Sequence, residues 1–69
     1  MSDHVYGMLE LTGSSTVSVE HAVRTAVSKA GETTKHMDWF ELVETRGEIK
    51  KNDVAFWQVT IKIGYRIED

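Results

Sequence analysis

Residues 37–49, MDWFELVETRGEI, carry the pattern that decides the fold. The stretch has the hydrophobic pattern of a β-strand, in which neighbouring side chains point to opposite faces of a sheet. Trp39 and Phe40 are adjacent, so the strand predicts one aromatic ring on each face. Only one of the two rings can belong to the core of this chain. The other ring marks a surface that is left for a partner or a ligand.

A hairpin partner for this strand follows directly in the sequence. The polar residues KKND at 50–53 suit a turn between two long strands, residues 38–49 and 53–67. Pairing across this turn fixes the register of the whole hairpin and places Phe40 on the core side and Trp39 outside. The predicted pairs are Ile49 with Val54, Thr45 with Gln58, Val43 with Thr60, Leu42 with Ile61, Glu41 with Lys62, Phe40 with Ile63 and Trp39 with Gly64.

The alternation along the last strand predicts two different faces. The core face is a nearly continuous apolar row: Ala55, Trp57, Val59, Ile61, Ile63, Tyr65 and Ile67. The outer face carries Phe56, Gln58, Thr60, Lys62, Gly64 and Arg66. The same register turns Glu44 and Arg46 towards the core, which is unfavourable for charged groups unless the strand bulges there.

The segments before the hairpin predict one more strand and one helix. Residues 4–12 alternate as a strand, and a polar turn then leads to Ser18, a suitable helix N-cap. Small apolar residues repeat at helical spacing as far as Gly31, where the helix ends or weakens: Val19, Ala22, Val23, Ala26, Val27 and Ala30. The sequence therefore predicts an α+β fold of order β-α-β-β, a single domain over residues 1–69 in which the helix covers one sheet face.

Composition narrows the classes of function. A chain of 69 residues with no cysteine has a small core and neither disulfides nor a thiolate zinc site, so self-association is the expected source of further stability. Its three histidines, His4, His21 and His36, are too widely spaced in sequence for a usual metal site. The net charge of −3 argues against nucleic-acid binding, and no stretch approaches the ~20 apolar residues of a membrane span. We expect a cytoplasmic protein with neither kind of partner.

The outward Trp39 allows two interpretations. It could fill a subunit interface, where aromatic residues are enriched. It could also be a platform for a flat, polar-edged ring, because Gln58, Lys62 and Arg66 share its face and offer an amide and two cations. An enzyme finds no support, since the sequence has no cysteine, no serine or histidine in a recognisable nucleophile setting and no glycine-rich dinucleotide loop.

The chain as a whole resembles the dodecins of bacteria. The resemblance runs from DHVYGMLEL through STVSVEHAVRTAVSKA to the two long strands, and its most specific parts are DWFELVETRGEI and WQVTIKIGYR. It implies a three-stranded antiparallel sheet wrapped around a single helix and assembled as a hollow homododecamer. It also implies that flavin, as FMN or riboflavin, binds without a covalent bond at subunit interfaces.

The resemblance also assigns residues to this flavin site. Trp39 corresponds to the tryptophan that stacks on the flavin, and Gln58 to the glutamine that bonds the polar edge of the ring. Arg46 and Arg66 correspond to arginines that bacterial dodecins carry near this site or in subunit contacts. Bacterial dodecins can also bind coenzyme A, for which no residue is assigned here.

The expected function is storage and buffering of flavin, with quenching of the bound ring, and no catalysis. The alternative is an assembly or interaction module, or a coenzyme A-binding shell, in which flavin binding is incidental. The two interpretations of Trp39 merge in the first case, because the platform then lies within the interface.

Overall fold

The computed structural model describes residues 3–68 and has the predicted order of elements. Strand β1 spans Val5–Ser15, helix α1 spans Val19–Ala30, strand β2 spans Met37–Lys50 and strand β3 spans Asp53–Ile67. The strands form one antiparallel sheet in the order β1-β3-β2. The predicted α+β fold is confirmed, although β1 continues three residues past its predicted end at Thr12.

The turn of the β2–β3 hairpin has the form that its sequence predicts. Lys50 pairs with Asp53, and the two residues between them, Lys51 and Asn52, have φ values of 53° and 62°. Two successive left-handed residues are the mark of the tight hairpin turn whose twist matches that of the flanking strands. This turn brings the two longest strands into register.

A β-bulge in β2 corrects the predicted register. The pairs near Trp39 and Phe40 are confirmed, but the pairs of Val43 with Thr60 and of Thr45 with Gln58 are wrong. The register shifts between Leu42 and Glu44, so the pairs after the bulge are Glu44 with Thr60, Thr45 with Val59 and Arg46 with Gln58. The extra residue returns the charged groups of β2 to the outer face, which avoids burying them. A second shift after Glu48 restores the predicted pair at the turn, Ile49 with Val54.

The helix packs closely against β1 and β3 through small side chains. The Ser18 hydroxyl caps the helix by accepting the His21 backbone N–H, and the helix ends before Gly31, both as predicted. At Gly13 of β1, an added Cβ would lie 2.7 Å from the Ala22 carbonyl oxygen of the helix. This close approach gives a compact core made of alanines of α1 and branched residues of β3: Ala22, Ala26, Ala30, Val59, Ile61 and Ile63.

The helix covers only part of the sheet. Its 12 residues span about 18 Å, whereas the 15 residues of β3 span about 50 Å. Phe40 lies on the core side, as predicted. Because the helix is short, 50% of the surface of Phe40 is nevertheless exposed. Trp57, predicted to be a core residue, is only half-buried and is not part of the core cluster.

Candidate functional site: two ends of the outer sheet face

The first end of the outer face is built around Trp39. Its indole lies over Gly64, directly across the β2–β3 pair, and a Cβ at position 64 would overlap the ring. Gly64 is buried beneath it. Trp39 keeps 41% of its surface exposed. The absent side chain of Gly64 thus makes a seat on which the indole lies across the sheet with part of its surface free.

Tyr6 holds the indole from the side. The two ring centroids lie 5.1 Å apart with the planes at 65°, an edge-to-face contact. Tyr6 reaches this position from β1, where it pairs with Arg66 of β3. Such a contact contributes about 0.5–1.5 kcal/mol beyond the burial of the rings. The contact and the glycine seat together restrict the orientation of Trp39.

The second end of the face is a polar pair formed across the bulged strand. The Nε of Arg46 donates to Oε1 of Gln58 over 2.8 Å, and Nη1 of Arg46 lies 3.5 Å from a carboxylate oxygen of Glu44. Because the guanidinium engages the amide oxygen, the amide NH₂ group is the part of Gln58 that is offered to a ligand. The pair exists only because the bulge places Arg46 opposite Gln58.

The four predicted site residues lie on the same face of the sheet but at two positions that are far apart. Gln58 and Gly64 are six residues apart along β3, a separation of about 20 Å between the polar pair and the seat of Trp39. Arg66 belongs to the Trp39 end, because it lies two residues beyond Gly64 and opposite Tyr6. The four residues of one chain therefore form two separate groups, called here the half-sites of the candidate site: Trp39 with Arg66, and Gln58 with Arg46.

Polar residues of all three strands occupy the middle of the face. The hydroxyls of Thr12 and Thr60 lie 2.9 Å apart in a hydrogen bond. One pair further along, Lys62 stands between Glu10 of β1 and Glu41 of β2. This row separates the two half-sites and sets groups of opposite charge across from one another on neighbouring strands.

The sequence pattern did not predict that Tyr6 and Met8 lie beside Trp39. These two residues alternate with Leu9 and Leu11, which separates the two pairs onto opposite faces of β1, but the pattern gave no strand neighbour for β1. The observed order puts β3 between β1 and β2, so Met8 and Trp39 flank Gly64 from opposite sides. Gly64 was the sequence signal that could have indicated this arrangement. A residue without a side chain opposite an outward tryptophan leaves room for side chains from both neighbouring strands.

The other side of β2 carries an apolar surface of its own. Phe40 and Leu42 are half-exposed on the helix side, and Phe40 borders a groove of about 480 Å³ with residues of α1. The other residues that line the groove are Glu20, Val23, Arg24, Val27 and Ser28. Exposed apolar side chains next to a small core, such as those of Phe40 and Leu42, are typical of a surface that another subunit covers.

A serine and a histidine meet at the start of the helix. The Oγ of Ser15 lies 2.7 Å from Nδ1 of His21 and accepts the backbone N–H of Val17 over 2.9 Å. The Ser15 side chain is buried, and these bonds tie the end of β1 to the first turn of α1. We assign this pair to the local structure of the loop.

Within residues 3–68, no helix is long and apolar enough to cross a membrane. Over the same residues, no three side chains of His, Cys, Asp or Glu are grouped as a metal site.

Comparison with known proteins assigns the chain to a family. The dodecin family model matches residues 5–68. The curated dodecin of Thermus thermophilus is 40% identical over 65 residues, which cover 94% of each chain. The solved dodecin of Streptomyces coelicolor is 45% identical with a TM-score of 0.93, and covers 100% of this chain and 99% of its own. That of Streptomyces davaonensis is 38% identical with a TM-score of 0.94, over 99% of this chain and 100% of its own. The chain belongs to the dodecin family.

Proposed function

We propose that this dodecin stores and buffers flavin, taking up FMN or riboflavin at sites that form between the chains of a hollow homododecamer. Each chain contributes one dodecin-like domain, and the protein acts by binding, not by catalysis. The observation that carries the proposal is the seating of Trp39, an indole fixed against Gly64 and Tyr6 with 41% of its surface open on the outer face.

The physical argument begins with the cost of ordering an aromatic side chain. A free surface tryptophan would lose rotamer freedom when a ligand stacked on it, whereas Trp39 is already held by the seat and by Tyr6. A flat heterocycle can therefore gain the stacking contact of about 0.5–1.5 kcal/mol without first ordering the indole. The isoalloxazine ring of a flavin has this flat shape and a hydrogen-bonding edge.

The separation of the two half-sites supports assembly. One flavin ring cannot touch both Trp39 and Gln58 of the same chain, because about 20 Å of β3 lies between them. A site that combines stacking and an amide donor therefore requires a second chain. The half-exposed apolar residues of β2 and the small core of the chain also favour self-association.

The other site residues receive roles from their bonds. Gln58 donates its amide N–H to an acceptor on the polar edge of the flavin, and Arg46 orients that amide by holding its oxygen. Arg66 lies next to the Trp39 seat and contributes to the ligand site or to the subunit contact there. Structures of the Thermus thermophilus dodecin include arginine-to-alanine and tryptophan-to-phenylalanine variants, so residues of these types have been studied in that relative.

Quenching of the bound flavin is the second role that we propose for Trp39. A bound flavin supplies a light-excited ring that can accept an electron. The indole is an electron-rich donor whose exposed surface makes direct contact with a stacked ligand, so it can return the excited state to the ground state before other chemistry begins. Stacking also covers the ring and keeps substrates away from it, which fits a storage role.

The test is a titration of the protein with riboflavin and with FMN, followed by flavin fluorescence, with the particle mass measured on the same sample. We expect strong quenching that saturates at equimolar flavin and chain on a particle of dodecameric mass. An intact particle that leaves flavin fluorescence unchanged would contradict the storage function.

The Trp39→Ala variant locates the site within that test. Trp39→Ala removes both the stacking contact of about 0.5–1.5 kcal/mol and the apolar surface that the indole covers, so flavin binding should weaken about tenfold or more, while the particle mass stays the same. The matched control is Trp57→Phe, because Trp57 lies on the opposite sheet face. Its flavin affinity should be unchanged. Full flavin affinity in Trp39→Ala would contradict the proposal that the flavin stacks on the Trp39 indole.

A second candidate function is an assembly module or a coenzyme A-binding shell in which flavin is incidental. The groove beside Phe40 favours it, since about 480 Å³ on the helix side is large enough for a side-chain cluster or a small ligand. Dodecameric particles that bind coenzyme A but no flavin would support this alternative.

A further inference from the structure

We propose that the Trp39 platform prefers an uncharged ring ligand to its phosphorylated counterpart, and that Met8 and Glu10 of β1 set this preference. The inference rests on the proposed function, because it concerns the ligand of the same site. Between two flavins with the same ring, riboflavin would then be favoured over FMN.

The β1 side chains beside the platform carry no charge. Met8 flanks Gly64 on the side opposite Trp39, and 48% of its surface is exposed. Tyr6 borders the same area and contacts the indole. A ring stacked on Trp39 therefore has a thioether and a phenol beside it, and β1 offers it no cation at this level of the sheet.

Lys62, the nearest cation on the side of the platform towards the middle of the sheet, stands between two carboxylates. Lys62 lies two residues from Gly64, about 7 Å along β3, and both of its cross-strand neighbours are carboxylates, Glu10 and Glu41. Neighbours directly across strands are about 5 Å apart at Cβ, close enough to attract each other. A phosphate approaching Lys62 would also approach two negative charges.

The two arginines of the face are engaged as well. Nη2 of Arg66 lies 3.4 Å from a carboxylate oxygen of Glu68. Arg46 bonds Gln58 and lies 3.5 Å from Glu44. Three cations of the outer face thus each have a carboxylate neighbour: Lys62, Arg46 and Arg66.

The charge of the ligand then decides the preference. A phosphate ester carries about −1.5 to −2 charges at neutral pH and loses hydration on binding. On this face the phosphate would displace a carboxylate from its cation or meet it directly, and the chain as a whole carries a net charge of −3. Riboflavin has the same ring without this cost.

The experiment compares the dissociation constants of riboflavin and FMN for the assembled protein at low and at high salt. We expect riboflavin to bind more tightly than FMN, and the affinity for FMN to rise with added salt as the repulsion is screened. FMN binding that is as tight as riboflavin binding or tighter, at either salt concentration, would overturn the inference but leave flavin storage intact. Failure of both ligands to quench would instead overturn the proposed function and this inference with it.

Variants at Met8 test the assigned residue. Met8→Lys places a cation beside the platform and should raise the ratio of FMN affinity to riboflavin affinity up to about fivefold. Met8→Leu is the matched control and should keep the wild-type ratio of the two affinities. An unchanged ratio in Met8→Lys, at unchanged particle mass, would show that position 8 does not select the ligand.

Discussion

The centre of β3 and the start of β2 have similar apolar patterns but different surroundings. Ile61 and Ile63 of β3 are fully buried beneath α1, whereas their partners Leu42 and Phe40 of β2 are each 50% exposed. All four lie on the same side of the sheet. The difference teaches that alternation predicts which side a residue occupies, while the length and position of the helix decide whether it is covered.

This comparison gives the largest expected effect. Ile61→Ala should lower the free energy of unfolding by about 2–5 kcal/mol, because it removes buried methyl groups and leaves a cavity under the helix. Leu42→Ala should reduce the stability of the single chain much less and act mainly on assembly, since half of Leu42 is already in solvent. Denaturant unfolding and particle mass should be measured at one protein concentration, because assembly contributes to apparent stability.

Equal losses of stability in the two variants would break the comparison. They would mean that the apolar residues Phe40 and Leu42 of β2 are buried in the assembled particle as fully as the core. Folding and assembly would then be one event. A change of particle mass in Leu42→Ala alone would sharpen it, because that result separates the subunit contact from the core of the chain.

The outer face offers a test of intermediate size. Gly64→Ala forces the Trp39 ring away from its seat, since a Cβ at this position overlaps the indole. We expect a loss of about 1–3 kcal/mol in stability and a red shift of tryptophan fluorescence as the ring moves into water. Gly31→Ala is the control, because the closest atom to its added Cβ is the end of the flexible Met37 side chain, at 3.3 Å. An unshifted spectrum in Gly64→Ala would argue against the seat.

The smallest effect is expected at the ring that supports Trp39. Tyr6→Leu removes an edge-to-face contact of about 0.5–1.5 kcal/mol, so flavin affinity should fall a few-fold and tryptophan anisotropy should decrease. Tyr6→Phe keeps the ring and should retain both properties. Equal losses in the two variants would assign the effect to the Tyr6 hydroxyl instead of to the edge-to-face contact.

The bulge shows where reasoning from a regular pattern stops. A strict alternation sent Glu44 and Arg46 inward, and the cost of burying charge indicated that the strand could bulge there. The sequence did not indicate which residue would be extra. The structure places the shift between Leu42 and Glu44 and leaves Val43 without a partner in β3, and a second shift between Glu48 and Ile49 restores the pair of Ile49 with Val54.

The sequence by itself determined the order of elements, the turn at residues 50–53, the helix cap at Ser18 and the outward side of Trp39. Each of these depends on local spacing or on turn and capping chemistry, which act between residues close in the chain. Only the tertiary structure decided three further features. It placed Tyr6 and Met8 beside Trp39, separated the Gln58 and Trp39 half-sites by about 20 Å, and left β2 uncovered. These features depend on strand order and on the relative lengths of helix and strands, which no local pattern encodes.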